Sequence, residues 1–192
     1  MAKVLLTPFN IMKPLLTLFK TNDSLTPLIA RLTLGLVMFP HGAQKALGWF
    51  GGYGFSGTMN FFTGQMHIPA LFAFLAIAAE FAGSIALITG FFSRICAFGI
   101  AVVMIVATLT VHASNGFYMN WSGNQKGEGF EYHLLALGLA LVVIISGAGK
   151  WSIDRLLARR LDVQRGMIPD LDRRLPSDIR PAPQHGAMIS KQ

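Results

Sequence analysis

Three stretches of this chain stay apolar for longer than a buried element of a soluble domain needs. Residues 68–90 hold one charge, Glu80, while residues 95–111 and 134–149 hold none. As helices, the first spans about 35 Å and the other two about 25 Å before their flanks are counted, the scale of a bilayer's hydrocarbon core. Residues 25–47 form a weaker fourth candidate, because Pro27, Arg31, Pro40, His41 and Lys45 surround the apolar core 32–39. Polar residues inside a span turn toward neighbouring helices rather than lipid. With 53% hydrophobic and only 13% charged residues, against about 25% charged in an ordinary soluble domain, the composition agrees. The expectation is an all-α polytopic membrane protein, a four-transmembrane-helix bundle with spans at about 25–47, 68–90, 94–112 and 132–150.

Charge sets the orientation and excludes other classes. The net charge is +7, but nine of the sixteen Lys/Arg lie at or after Lys150, so no folded basic domain exists to hold nucleic acid. Four spans put both termini on one side. Lys13, Lys20, Arg94, Lys150, Arg155, Arg159, Arg160 and Arg165 fall on that side, against Lys45 and Lys126 on the other. The positive-inside rule then predicts cytoplasmic termini. Cys96 is the single cysteine, which excludes an intrachain disulfide framework, a multi-cysteine zinc site and a cysteine-ligated iron–sulfur cluster. Redox chemistry would have to come from histidines, carboxylates or a borrowed cofactor.

Outside the spans, residues 1–24 read as an interfacial leader rather than a cleaved signal, since Pro8 and Pro14 interrupt the apolar run. The short turn 91–94 makes its flanking helices antiparallel neighbours. Residues 48–67 hold six Gly and six aromatics, which suits the membrane interface. Residues 113–131 form the second outer loop. Residues 157–192 read as a basic, proline-containing cytoplasmic tail, largely disordered, after an amphipathic continuation to about Gly166.

Depth arithmetic singles out two groups of polar residues. Arg31 lies about 9 Å above the start of the first span and Glu80 about 15 Å from the end of the second. Two unpaired charges at that depth would together cost about 5–7 kcal/mol, so an intramembrane Arg31–Glu80 ion pair is expected, as a structural clamp or as a proton or ligand site; a protonated Glu80 is the remaining alternative. His41, His112 and His133 all fall toward the outer ends of their spans, with Gln44 and Lys45 one turn beyond His41. These five form a candidate pocket; the competing reading is that each satisfies a loop carbonyl. Arg94 and His112, eighteen residues apart, should share a helix face. No metal site is expected, since no Glu-x-x-His pair is present. Gly83, Ser84, Ala97, Gly99, Ala101 and Gly138 read as packing surfaces.

The pattern as a whole resembles the DoxX family. It runs through Arg31-x3-Gly35-x3-Phe39-x-His41-Gly42-x-x-Lys45, Glu80-x-x-Gly83 with Gly90-x3-Arg94, and His112 before Gly116-Phe117. It ends with Glu131-Tyr132-x-Leu134-Leu135 and Gly147-x-Gly149-x-x-Ser152-x-Asp154. The resemblance covers about residues 25–156 and implies a small four-helix protein of the bacterial inner membrane, named for a subunit of a quinone-linked thiosulfate-oxidising system and described as an oxidoreductase. It carries the family's recurrent polar positions onto Arg31, His41, Lys45, Glu80, Arg94 and His112; His133 stands where many relatives carry another residue, often Pro. No motif specifies a cofactor or identifies a catalytic residue. Two functions follow: a redox component that exchanges electrons with quinone, alone or with a soluble redox partner, and a non-enzymatic scaffold or lipid- or small-molecule-binding module. The lipid bilayer is a partner in both.

Overall fold

A computed structural model describes residues 18–21 and 23–167, side chains beyond Leu161 excepted. The expected leader, apart from its last residues, and the tail beyond Met167 lie outside the described residues. Contacts divide the chain into two compact units, Met1–Ala158 and Arg159–Gln192. Among the described residues there are six α-helices and no strand: α1 Leu25–Leu47, α2 Gly54–Asn60, α3 Ala70–Thr89, α4 Ser93–Ala107, α5 Glu131–Ser146 and α6 Ile153–Met167. Two helices run on as π-turns, α2 through Phe61–Gln65 and α4 through Thr108–His112.

Local chemistry fixes the helix ends. Ser24 is extended and its hydroxyl accepts from the Thr26 amide, 3.2 Å away, which caps α1. Pro27 falls in the first turn, where no intrahelical donor is needed. At the end of α3, Gly90 takes φ +72°, its amide donates to Leu87, and the Phe91 amide donates to Ala86. That is a Schellman closure, and the left-handed residue it needs is a glycine. The chain then enters α4 without a side-chain cap of its own. Asp154, at the start of α6, lends one: its carboxylate accepts from the amides of Phe92 (2.7 Å) and Ser93 (2.9 Å). Burial pushes the Asp154 carboxyl up from the ordinary carboxylate range, against the opposing pull of these amides and of Arg31.

Packing closes the four long helices into a ring in which α1 touches α3 and α5, and α4 touches the same two. The buried face of α1 (Leu28, Ala30, Arg31, Leu34, Gly35, Met38, Gly42) follows the helical repeat. Backbone meets backbone along α3, because a Cβ on Gly42 would lie 2.5 Å from Phe81 Cα and one on Gly35 would lie 3.0 Å from Ser84 O. Leu34, Met38, Leu87, Ile100, Met104, Ala140 and Val143 form the centre. Gly138, expected to pack, instead faces open space.

The outer surface is apolar: Leu109 is 73% exposed, Leu135 68%, Ile145 66% and Leu71 65%. A soluble monomer rarely leaves so much apolar area uncovered. Among the described residues two helices, Ala70–Thr89 and Ser93–Asn115, are long and apolar enough to cross a membrane, and Glu131–Ser146 is a shorter apolar helix.

Candidate functional site

Arg31 is 1% exposed and spends its whole guanidinium on backbone carbonyls. Nε donates to Ala148 (2.8 Å), Nη1 to Leu87 (2.8 Å) and Ile88 (2.7 Å), and Nη2 to Trp151 (2.7 Å) and Lys150 (3.3 Å). It thus ties the last carbonyls of α3 to the segment after α5, where a cation also meets the negative end of a helix dipole. Arg94 repeats the device on α5, donating to Ile144, Ile145 and Lys20 carbonyls.

The expected Arg31–Glu80 pair is therefore corrected: Glu80, 4% exposed, pairs with Lys45 Nζ at 2.5 Å. The heights failed because they were measured from two helix ends taken as flush. Gly90 actually lies beside Arg31, its Cβ position 3.2 Å from Cζ, so α3 stops about 9 Å above the start of α1. The antiparallel offset brings Gly42 against the Glu80 backbone and sets Glu80 within reach of the last turn of α1.

Around this ion pair the structure gathers aromatic and imidazole rings. His41 and Tyr132 have centroids 5.9 Å apart, Tyr132 and His133 5.5 Å, and His133 and His112 4.2 Å. His112 Nδ1 lies 2.8 Å from the Glu128 carbonyl, which only accepts; this nitrogen therefore carries the proton and a neutral ring keeps Nε2 as an acceptor. The Tyr132 hydroxyl donates to Met38 Sδ at 3.2 Å, a weak acceptor. His133 is 6% exposed, and its buried Nδ1 has no hydrogen-bond partner.

His41, Lys45, Glu80, His112, Tyr132 and His133 all line one cavity of about 1360 Å³. Apart from Thr110 and Glu128 its remaining walls are apolar, with Ala79, Gly83 and Ala86 of α3 and Gly99, Val102 and Val106 of α4. Phe72 and Phe98 belong to the wall and are each 61% exposed, so the cavity opens on the outer flank of α3 and α4. One end is polar and the rest is hydrocarbon-like.

Not every expected residue takes part. Gln44 is absent from the cavity wall and gives its amide to the Phe50 carbonyl at 3.2 Å, holding the loop that follows α1. His112 does not share a regular face with Arg94, because the π-turn over Thr108–His112 breaks the 3.6-residue repeat between them. Tyr132 was missed by residue-type reasoning; its place in the Glu131-Tyr132 motif was the available cue. Among the described residues no group of three or more His, Cys, Asp or Glu is arranged to hold a metal ion.

Residues 26–113 match the DoxX family model. Inner membrane protein YqjF of Escherichia coli strain K12 is 28% identical over 73% of this chain and 98% of its own length. Inner membrane protein YphA of the same strain is 29% identical over 67% of this chain and 87% of its length. A Bacillus subtilis strain 168 protein named "Putative oxidoreductase CatD" is 29% identical over 60% and 76%. No solved structure matches the chain.

Proposed function

Since the chain belongs to the DoxX family of inner-membrane proteins, we propose that it works in the bilayer as a quinone-linked redox component whose cavity receives a quinone-like ligand. One observation carries this reading: a single cavity joins a cluster of hydrogen-bonding side chains to an apolar flank open toward lipid. A quinone has the matching division, ring carbonyls at one end and an isoprenoid tail at the other. The side chains fit the group. Lys45 and the imidazoles of His41 and His133 can donate to ring carbonyls, the Nε2 of His112 can accept from a hydroxyl of the reduced ring, and the small residues Ala79, Gly83 and Gly99 leave room for a chain between α3 and α4. A bound quinone would supply the two-electron capacity; the chain's own residues bind, orient and exclude water. The relative named as an oxidoreductase agrees with this class.

In this proposal α1, α3, α4 and α5 all span the membrane and both termini face the cytoplasm. The eight-to-two distribution of Lys/Arg supports that orientation. Although α5 has 16 residues, about 24 Å of helix, the uncharged segment 147–149 extends it before Lys150.

The test is chemical. Protein purified from native membranes, extracted with solvent and analysed by mass spectrometry should yield quinone near one per chain, and His41→Phe combined with His112→Phe should lower that yield severalfold. Quinone no richer than in a control membrane protein of similar size, prepared identically, would overturn the reading.

A further inference from the structure

The polar end of the cavity is electrically closed. Lys45 is the one lysine or arginine on the wall among the described residues, and its charge is already spent on Glu80 at 2.5 Å. Glu128, the second acidic residue on the wall, is exposed, and its carboxylate accepts from the Asn120 backbone amide at 2.6 Å. An anionic head entering this end would find no free cation and the carboxylate of Glu80. In a medium of low dielectric that mismatch weighs more than it does in water.

Hydrogen-bonding capacity tells the opposite story. His133 lies on the wall, 6% exposed, with Nδ1 buried and unpaired, and the His112 ring 4.2 Å away keeps its Nε2 free of any protein partner. Buried polar atoms are nearly always satisfied, so an orphan on a residue of the cavity wall points to a partner that the chain does not supply.

We propose that the cavity selects an uncharged amphiphile whose head bears a carbonyl or hydroxyl, and that His133 is the residue that reads that group. This excludes fatty acids and phospholipids as the preferred occupant, and it rests on the ligand-binding reading of the cavity given above. The selectivity has two parts. The Lys45–Glu80 pair removes the attraction for anions, and the unpaired imidazole rewards a neutral hydrogen-bonding atom over plain hydrocarbon. A head lacking such an atom would leave Nδ1 unsatisfied, and discrimination against analogues of that kind is typically large because the site's own polar group stays unpaired.

Three probes with one tail separate these terms: decylubiquinone, decylbenzene and 4-decylbenzoate. Binding to the full chain in detergent, measured by equilibrium dialysis, should favour decylubiquinone at least tenfold over both others. His133→Leu should reduce the preference over decylbenzene to less than threefold without weakening decylbenzene, His133→Gln should restore part of it, and Gln44→Ala should change nothing. In the wild-type chain, nitrogen NMR of the His133 ring should show an Nδ1 shift with decylubiquinone and none with decylbenzene, a readout that does not depend on any variant folding. Benzoate binding as tightly as the quinone would overturn neutral selection. An undiminished preference in His133→Leu, or an unmoved Nδ1, would remove His133 as the reader. Failure of all three probes to bind the wild type would instead sink the ligand-binding reading itself.

Discussion

Arg31 and Lys45 lie fourteen residues apart on α1 and dispose of their charges in different ways. Arg31 has five donor contacts, all to carbonyls, and the planar guanidinium fork can serve two backbone segments at once, which an ammonium cannot. Arg31→Lys should therefore destabilise nearly as much as Arg31→Ala, and adding Glu80→Ala should rescue neither; thermal unfolding in detergent checks both. Lys45→Ala belongs to the other class. It leaves Glu80, 4% exposed, without its counter-charge, and removing one partner of a buried pair costs about 3–5 kcal/mol. Lys45→Ala with Glu80→Ala should regain part of that loss. Rescue of Arg31→Ala by Glu80→Ala, rather than of Lys45→Ala, would restore the pairing that the sequence suggested. Buried charge needing a partner was legible from Arg31 and Glu80 alone. Which partner was not, because it depends on the offset between two antiparallel helices, and that offset is set by glycine contacts that no periodicity displays.

Helix α1 meets α3 across Gly35 and Gly42, and the contact leaves no room for a methyl group. Gly42→Ala would press a Cβ into the Phe81 and Glu80 backbones at 2.5–2.6 Å, an overpacking that costs about 1–3 kcal/mol or more. It should also prise Lys45 from Glu80. Gly138→Ala, facing open space, should be neutral or slightly stabilising, and the difference between the two melting temperatures tests the packing. The π-turn at the end of α4 makes a second prediction. Deleting Leu109 from Thr108–His112 should relax the turn to α-helix at nearly the same bearing, whereas inserting an alanine after Leu109 should swing His112 by about 100° away from His133. Helix content by circular dichroism should persist in both while decylubiquinone binding falls with the insertion; unchanged binding there would mean that the π-turn does not aim His112. The helices themselves were readable, α3, α4 and α5 from unbroken apolar runs and α1 from the apolar core 32–39. The shared depth of His41, His112 and His133 was readable too, since it needs only counting. The π-turn was not, because Thr108–His112 carries no Pro or Gly to mark an extra residue, and the phase of every position beyond it shifted unseen. Gln44 misled for a related reason: one turn from His41 by number, it is drawn to the Phe50 carbonyl by a loop whose path the sequence leaves open.

For the whole molecule, burial and charge have to agree on how the chain sits in the bilayer. Large apolar side chains lie outside on every long helix while Arg31, Glu80 and His133 lie inside, the inversion expected when lipid is the solvent. Exposed aromatics mark two levels. Trp49, Tyr53, Tyr118 and Trp121 crowd the loops after α1 and α4, and Trp151 stands at the other end, 80% exposed beside Lys150. Aromatic rings prefer the headgroup layer, so these two sets would bracket the hydrocarbon if α1, α3, α4 and α5 all cross it. Basic residues divide along the same axis, with Arg94, Lys150 and Arg155 at the Trp151 end and Lys45 and Lys126 opposite. The expected outcome is opposite sidedness for reporters placed at Gly123 and after Gln192. Alkaline phosphatase should be active at Gly123 and silent at the C-terminus, with a fluorescent protein that matures only in the cytoplasm showing the reverse. The 16-residue α5 is the element at risk, and a chain in which it failed to cross would carry both reporters on the same side. That result would place Lys150, Arg155 and Arg159 outside, against the charge rule, and would take His133 and its neighbours out of a lipid-facing cavity.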